Sequence, residues 1–147
     1  MFWNAVCLNA VEVDAANPAV LIINNATWGD DASNRLYVRN CYNSFIESIQ
    51  NKNHALVVGT PGIGKTMLLY YCIYLFATDN EEIQIELQLR GNSPGVPPRT
   101  FYLIKNAHGH HVSSSKDFPG KPMFLLSDSA SYITGQTLVV DGGLVVG

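Results

Sequence analysis

Along this chain the apolar positions switch between strand-like and helix-like spacing. Val11 to Val13 and Ala19-Val20-Leu21-Ile22-Ile23 read as short strands, the second ended by Asn24-Asn25, and Trp28-Gly29-Asp30-Asp31 reads as a turn. From Tyr42 the spacing lengthens. Tyr42, Phe45, Ile46 and Ile49 fall at i, i+3, i+4 and i+7, which predicts an amphipathic helix to about Gln50, stopped by Asn51-Lys52-Asn53. Ala55-Leu56-Val57-Val58 is a continuous apolar run, the pattern of a parallel strand buried on both faces. Met67 to Ala77 holds no charge, Gly or Pro, as expected for a helix buried all round.

The second half returns to strand periods. Ile83 to Arg90 alternates apolar and polar residues, predicting a strand with one wet face near a sheet edge. Gly91 to Pro98 predicts a loop, Phe101 to Ile104 a strand, and Asn106 to Gly120 a second loop. Met123 to Leu126 is a further strand candidate, and Thr137 to Val140 predicts a last strand before a turn at Asp141-Gly142-Gly143.

Between the apolar strand and the apolar helix lies Gly59-Thr60-Pro61-Gly62-Ile63-Gly64-Lys65-Thr66, which fits the phosphate-loop pattern G-x-x-x-x-G-K-[ST]. At ordinary composition those fixed positions would coincide in roughly a few chains per thousand of this length. Glycine lets backbone N–H groups converge on phosphate oxygens, and a helix starting near Lys65 adds its N-terminal N–H groups and dipole. Lys65 would supply a mobile cation for the terminal phosphates, and Thr66 a hydroxyl ligand for Mg²⁺. A glycine-rich turn capping an ordinary core helix is the alternative origin of the same pattern.

Hydrolysis needs more: a metal-side carboxylate, a group that orients the nucleophile, and often an arginine. The strand Phe101 to Ile104 ends in Lys105-Asn106 where a carboxylate would be wanted. Asp128, after Met123 to Ser127, is the candidate for a catalytic or metal-side carboxylate, although an Asp just after an apolar run is more often a solvated cap or turn residue. Arg90 and Arg99 flank a loop and could reach phosphates or simply face solvent. Binding of ATP or GTP with Mg²⁺, with weak or absent hydrolysis, is the expectation.

Composition narrows the classes. At 147 residues, 47% hydrophobic and 14% charged, the chain is expected to fold as one domain, residues 1–147, with a sparingly charged surface. A net charge of −3 with scattered Lys and Arg gives no electrostatic footprint for nucleic acid. Cys7, Cys41 and Cys72 are odd in number and widely spaced, which suits reduced thiols in an intracellular protein. Met1 to Val6 lacks a basic stretch followed by a sustained apolar core, and Met67 to Ala77 is too short to span a bilayer, so neither signal peptide nor membrane segment is expected. His108, His110 and His111 lack nearby Cys or carboxylate partners other than Asp117 and read as an exposed loop.

Two family resemblances are carried by separate segments. Trp28, Arg35-Leu36-Tyr37-Val38-Arg39-Asn40-Cys41-Tyr42, the run Val57 to Thr66 and Phe101-Tyr102-Leu103-Ile104 together resemble the P-loop domain of Crinkler and retrotransposon-hot-spot-type proteins, over about residues 28–105. The resemblance implies an ATP- or GTP-binding core that, in those families, is one module of a larger protein linked to effector or nuclear roles. Phe124 to Gly143 resembles the closing helix, loop and strand of short-chain dehydrogenase/reductases, and Ile22-Ile23-Asn24-Asn25-Ala26 is similar to that family's central strand end, with Thr27 in place of the usual glycine. That second resemblance implies NAD(P) as an alternative cofactor. The family's catalytic Tyr and Lys, four residues apart, have no counterpart: the positions at that spacing after Tyr70, Tyr102 and Tyr132 are Tyr74, Asn106 and Gln136.

The chain thus reads as a mosaic, with a dehydrogenase-like C-terminal segment over residues 122–147. The expected fold is α/β, a truncated P-loop-type, mostly parallel sheet with flanking helices around Ala55 to Val58. The readings that stay open are nucleotide binding, an oxidoreductase fragment without its catalytic pair, and a non-catalytic interaction fragment with unknown protein partners.

Overall fold

A computed structural model describes residues 2–28, 33–49, 55–58, 63–89, 99–108, 111–114, 124–127 and 135–138. The chain opens with a short helix, α1 (Phe2–Cys7), that buries Trp3, Ala5 and Val6. One and a half turns carry too little period for sequence reasoning to find, and tertiary burial holds the helix in place. Trp3 satisfies its indole N–H by donating Nε1 to the Ile104 carbonyl at 3.2 Å.

A three-stranded antiparallel sheet follows, in the order β1-β2-β3, from β1 (Val11–Asp14), β2 (Asn17–Ile23) and β3 (Arg35–Tyr37). The β1–β2 reversal is made by short polar side chains: Asp14 Oδ1 accepts from the Ala16 N–H at 2.9 Å, and Asn17 Oδ1 from the Ala19 N–H at 3.1 Å. The Arg35 guanidinium pairs with Asp14. After β2, Trp28 is fully buried, its Nε1 donating to the Asn34 carbonyl at 3.1 Å.

Helix α2 (Asn40–Ile49) turns Tyr42 inward with Phe45 and Ile46 half-buried beside it, as the spacing predicts. Strand β4 (Ala55–Val58) precedes α3 (Lys65–Asp79). Every residue of α3 from Leu68 to Ile73 is buried, which is why no amphipathic stripe is visible along it. A second sheet, in the order β7-β6-β5-β8, is built from β5 (Ile83–Leu89), β6 (Arg99–Lys105), β7 (His111–Ser114) and β8 (Phe124–Ser127). Strand β9 (Gly135–Leu138) pairs with β4. One hydrophobic cluster joins α1, β2, β3, α2, α3, β5 and β6, with Ile73, Ile83 and Ile85 fully buried inside it.

The chain mixes helices and strands as expected, but the sheet geometry needs correction. Among the described strands only β5 and β8 pair parallel; β4, expected at the centre of a mostly parallel sheet, pairs antiparallel with β9 in a two-stranded sheet. An apolar run reports burial on both faces and carries nothing about the direction of the neighbour. Strand β5 likewise lies between β6 and β8, not at an edge. Its alternation is real, with Ile83, Ile85 and Leu87 buried and Gln84 and Glu86 half-buried. Alternation reports the two faces of a strand, whereas edge position depends on hydrogen-bond partners in the sheet plane.

Part of the expected loop from Asn106 to Gly120 is strand β7, paired antiparallel with β6. Asn106 Oδ1 accepts from the His108 N–H at 3.1 Å at the start of the reversal. The last described strand, Gly135–Leu138, takes in Thr137 and Leu138 of the expected Thr137 to Val140; Val139 and Val140 lie outside the described residues. Among the described residues no helix is long and apolar enough to cross a membrane.

Candidate functional site

The start of α3 has an unusual backbone. Gly64 precedes its first residue with φ 90° and ψ 23°, the left-handed region that glycine adopts without a Cβ penalty. Gly64 itself, at the capping position, has no side chain to bond the first-turn amides, and that turn contains no acidic residue. Helix N-termini ordinarily have their orphan N–H groups met by such caps or by bound anions.

The Gly64 carbonyl is held from two sides. It accepts the first helical bond from the Leu68 N–H at 3.0 Å and a hydrogen bond from the Tyr42 hydroxyl at 2.8 Å. Tyr42 is itself fixed by packing against Tyr71, with ring centroids 5.9 Å apart, and Tyr71 donates its hydroxyl to Asn43 Oδ1 at 3.0 Å. Aromatic contacts continue from Tyr71 to Tyr74 at 6.4 Å and from Tyr74 to Trp28 at 6.2 Å, so α2 meets the start of α3 on a stiff surface. Burial pushes the Tyr42 hydroxyl above its ordinary pKa while the Arg39 cation pulls the other way. The hydroxyl therefore stays protonated and remains a donor.

Arg39 stands beside the same turn. A Cβ added to Gly64 would lie 2.8 Å from the Tyr42 hydroxyl oxygen and 3.5 Å from both Cζ and Nη2 of Arg39. The Tyr42 N–H donates to the Arg39 carbonyl at 2.9 Å, which anchors the residue at the entry to α2. Arg39 is exposed, and among the described residues its guanidinium has no carboxylate partner. Next to it opens a cleft of about 210 Å³ lined by Cys41, Tyr42, Phe45, Ile63, Gly64, Lys65 and Leu68.

Of the expected site residues, Ile63, Gly64, Lys65 and Thr66 lie together at the start of α3, while Gly59, Thr60, Pro61 and Gly62 lie outside the described residues. Asp128 and Arg90 also lie outside them. Arg99 begins β6. Among the described residues no cluster of His, Cys, Asp and Glu could hold a metal ion. Lys105, where a carboxylate was wanted, has work at the far end of α3: its Nζ donates to the Ala77 carbonyl at 2.6 Å and the Asn80 carbonyl at 3.0 Å.

Sequence reasoning missed Arg39 and Tyr42 as neighbours of the loop. Tyr42 is legible only as an inward position of α2, and its bond to Gly64 spans 22 residues. The two share the Arg35 to Tyr42 segment, but nothing in its pattern points at Gly64. No protein-family model matches the chain, and no solved structure matches it.

Proposed function

We propose that the protein binds a nucleoside triphosphate, ATP or GTP, together with Mg²⁺, through Gly59 to Thr66. The observation that carries this reading is the G-x-x-x-x-G-K-T run between β4 and α3, entering α3 through a left-handed glycine. Backbone amides and the helix dipole favour phosphate there, and Lys65 adds a cation for the terminal phosphates. Arg39, 3.5 Å from the Cβ position of Gly64, brings a second cation to the same side. The Thr66 hydroxyl, a hard oxygen donor in the first turn of α3, suits Mg²⁺, and Asp128 is the carboxylate proposed to assist it.

Hydrolysis is weak or absent in this reading. Lys105 at the end of β6 is engaged with α3 carbonyls and offers no base or metal ligand. The resemblance to Crinkler and retrotransposon-hot-spot-type P-loop domains points the same way, to a binding module.

Calorimetric titration with ATP, GTP and NADPH, each with Mg²⁺, tests the reading. Triphosphates should bind and NADPH should not. Lys65→Ala should weaken ATP by at least about tenfold, the scale of one charge-assisted contact, with unchanged circular dichroism. Unaltered affinity in that variant, or tight NADPH binding without triphosphate binding, would remove the proposal.

A further inference from the structure

The cleft between α2 and the start of α3 has one wall in common with the phosphate-loop run. Ile63, Gly64 and Lys65 form that wall, and Phe45, Leu68 and the Tyr42 ring make the rest of the lining largely apolar. Ile63 leaves 47% of its surface exposed at the mouth. A volume of about 210 Å³ is below the roughly 300–1,000 Å³ of sites that enclose a drug-sized ligand, so there is room for one planar ring system and not for a whole nucleotide.

We infer that this cleft receives the nucleobase of the triphosphate whose phosphates lie on Gly59 to Thr66. The inference rests on that nucleotide-binding reading and adds the site for the base. A nucleotide is an apolar plane tied to a polyanion, and the chain presents an apolar slot directly continuous with an anion-favouring turn. Phe45, Leu68 and Ile63 exclude water from the ring faces, while Arg39 and Lys65 keep the charged end on the loop side. Cys41, exposed in the cleft, is the built-in reporter of occupancy. Burial pushes the Cys7 thiol up to about 11 and the Cys72 thiol up to about 12, which leaves the exposed Cys41 as the thiol open to an alkylating reagent.

The test compares Mg²⁺-ATP with Mg²⁺-tripolyphosphate, which has the phosphates and lacks the base, on the full chain. Both affinities are measured by calorimetry, and Cys41 alkylation is followed by peptide mass spectrometry at matched occupancy. ATP should bind about tenfold tighter than tripolyphosphate and slow Cys41 alkylation about tenfold, whereas tripolyphosphate should slow it less than about twofold. Phe45→Ala should remove most of the ATP advantage and leave tripolyphosphate affinity within about twofold; if that variant fails to fold, the Cys41 comparison still decides. Equal affinities, equal protection by both ligands, or no protection by bound ATP overturn the base site while leaving triphosphate binding intact. Binding of neither ligand overturns the nucleotide reading itself, and the base site with it.

Discussion

The two ends of α3 are finished in opposite ways. At the C-terminal end the protein supplies its own partners: Lys105 Nζ reaches the Ala77 and Asn80 carbonyls, and Asn80 Nδ2 donates to the Phe76 carbonyl at 2.8 Å. A cation and an amide sit where the helix dipole is negative, and the end is closed. At the N-terminal end no side chain takes the capping position; Gly64 turns left-handed and its carbonyl is tied back to α2 by Tyr42. The first end is closed by a cation and an amide, whereas the second is braced by Tyr42 and lines a cleft with Gly64 and Lys65. The two ends of one helix thus differ in which elements hold them: β6 and Asn80 at the last turn, α2 at the first.

The sharpest way to separate these roles is Lys105→Met. Removing the ammonium leaves the Ala77 and Asn80 carbonyls short of a donor and should cost about 2 kcal/mol, read by urea denaturation, with ATP affinity unchanged. Loss of nucleotide affinity without loss of stability would break the comparison. Gly64→Ala tests the other end: a Cβ at positive φ, crowded by Tyr42, should cost about 1–2 kcal/mol and also weaken ATP, because both helix entry and loop shape depend on that residue.

Smaller effects sharpen the picture. Tyr42→Phe keeps the ring against Tyr71 and deletes only the bond to the Gly64 carbonyl, so about 1 kcal/mol of stability should go, measured by thermal unfolding. The smallest effect is expected for Arg39→Ala, an exposed cation. Stability should not change, while ATP affinity should fall about threefold at low salt and less at high salt. A stability loss in that variant with no change in ATP affinity would mark Arg39 as a packing residue.

Much of the local structure is legible without coordinates. The uncharged run Met67 to Ala77 already implies a helix with no wet face, and α3 is buried along its middle because each side meets a different partner: α1, α2 or β5. The i, i+3, i+4 spacing of Tyr42, Phe45 and Ile46 places the inner face of α2, and the alternation of Ile83 to Leu89 places the inner face of β5. These are one-dimensional signals, written by burial onto a repeating backbone.

Sequence alone therefore determined the helices α2 and α3, the strands β2, β4, β5 and β6, which of their faces are apolar, and that residues 59–66 carry a phosphate-loop pattern, but not α1, β3 or β7. Only the tertiary structure decided which elements became neighbours: that β4 runs antiparallel to β9, that β5 is interior, that Lys105 closes one end of α3, and that Arg39 and Tyr42 stand over the other. Local periodicity is set within a few residues by backbone geometry. Pairing direction and long-range hydrogen bonds depend on how the remainder of the chain fills the space around the core.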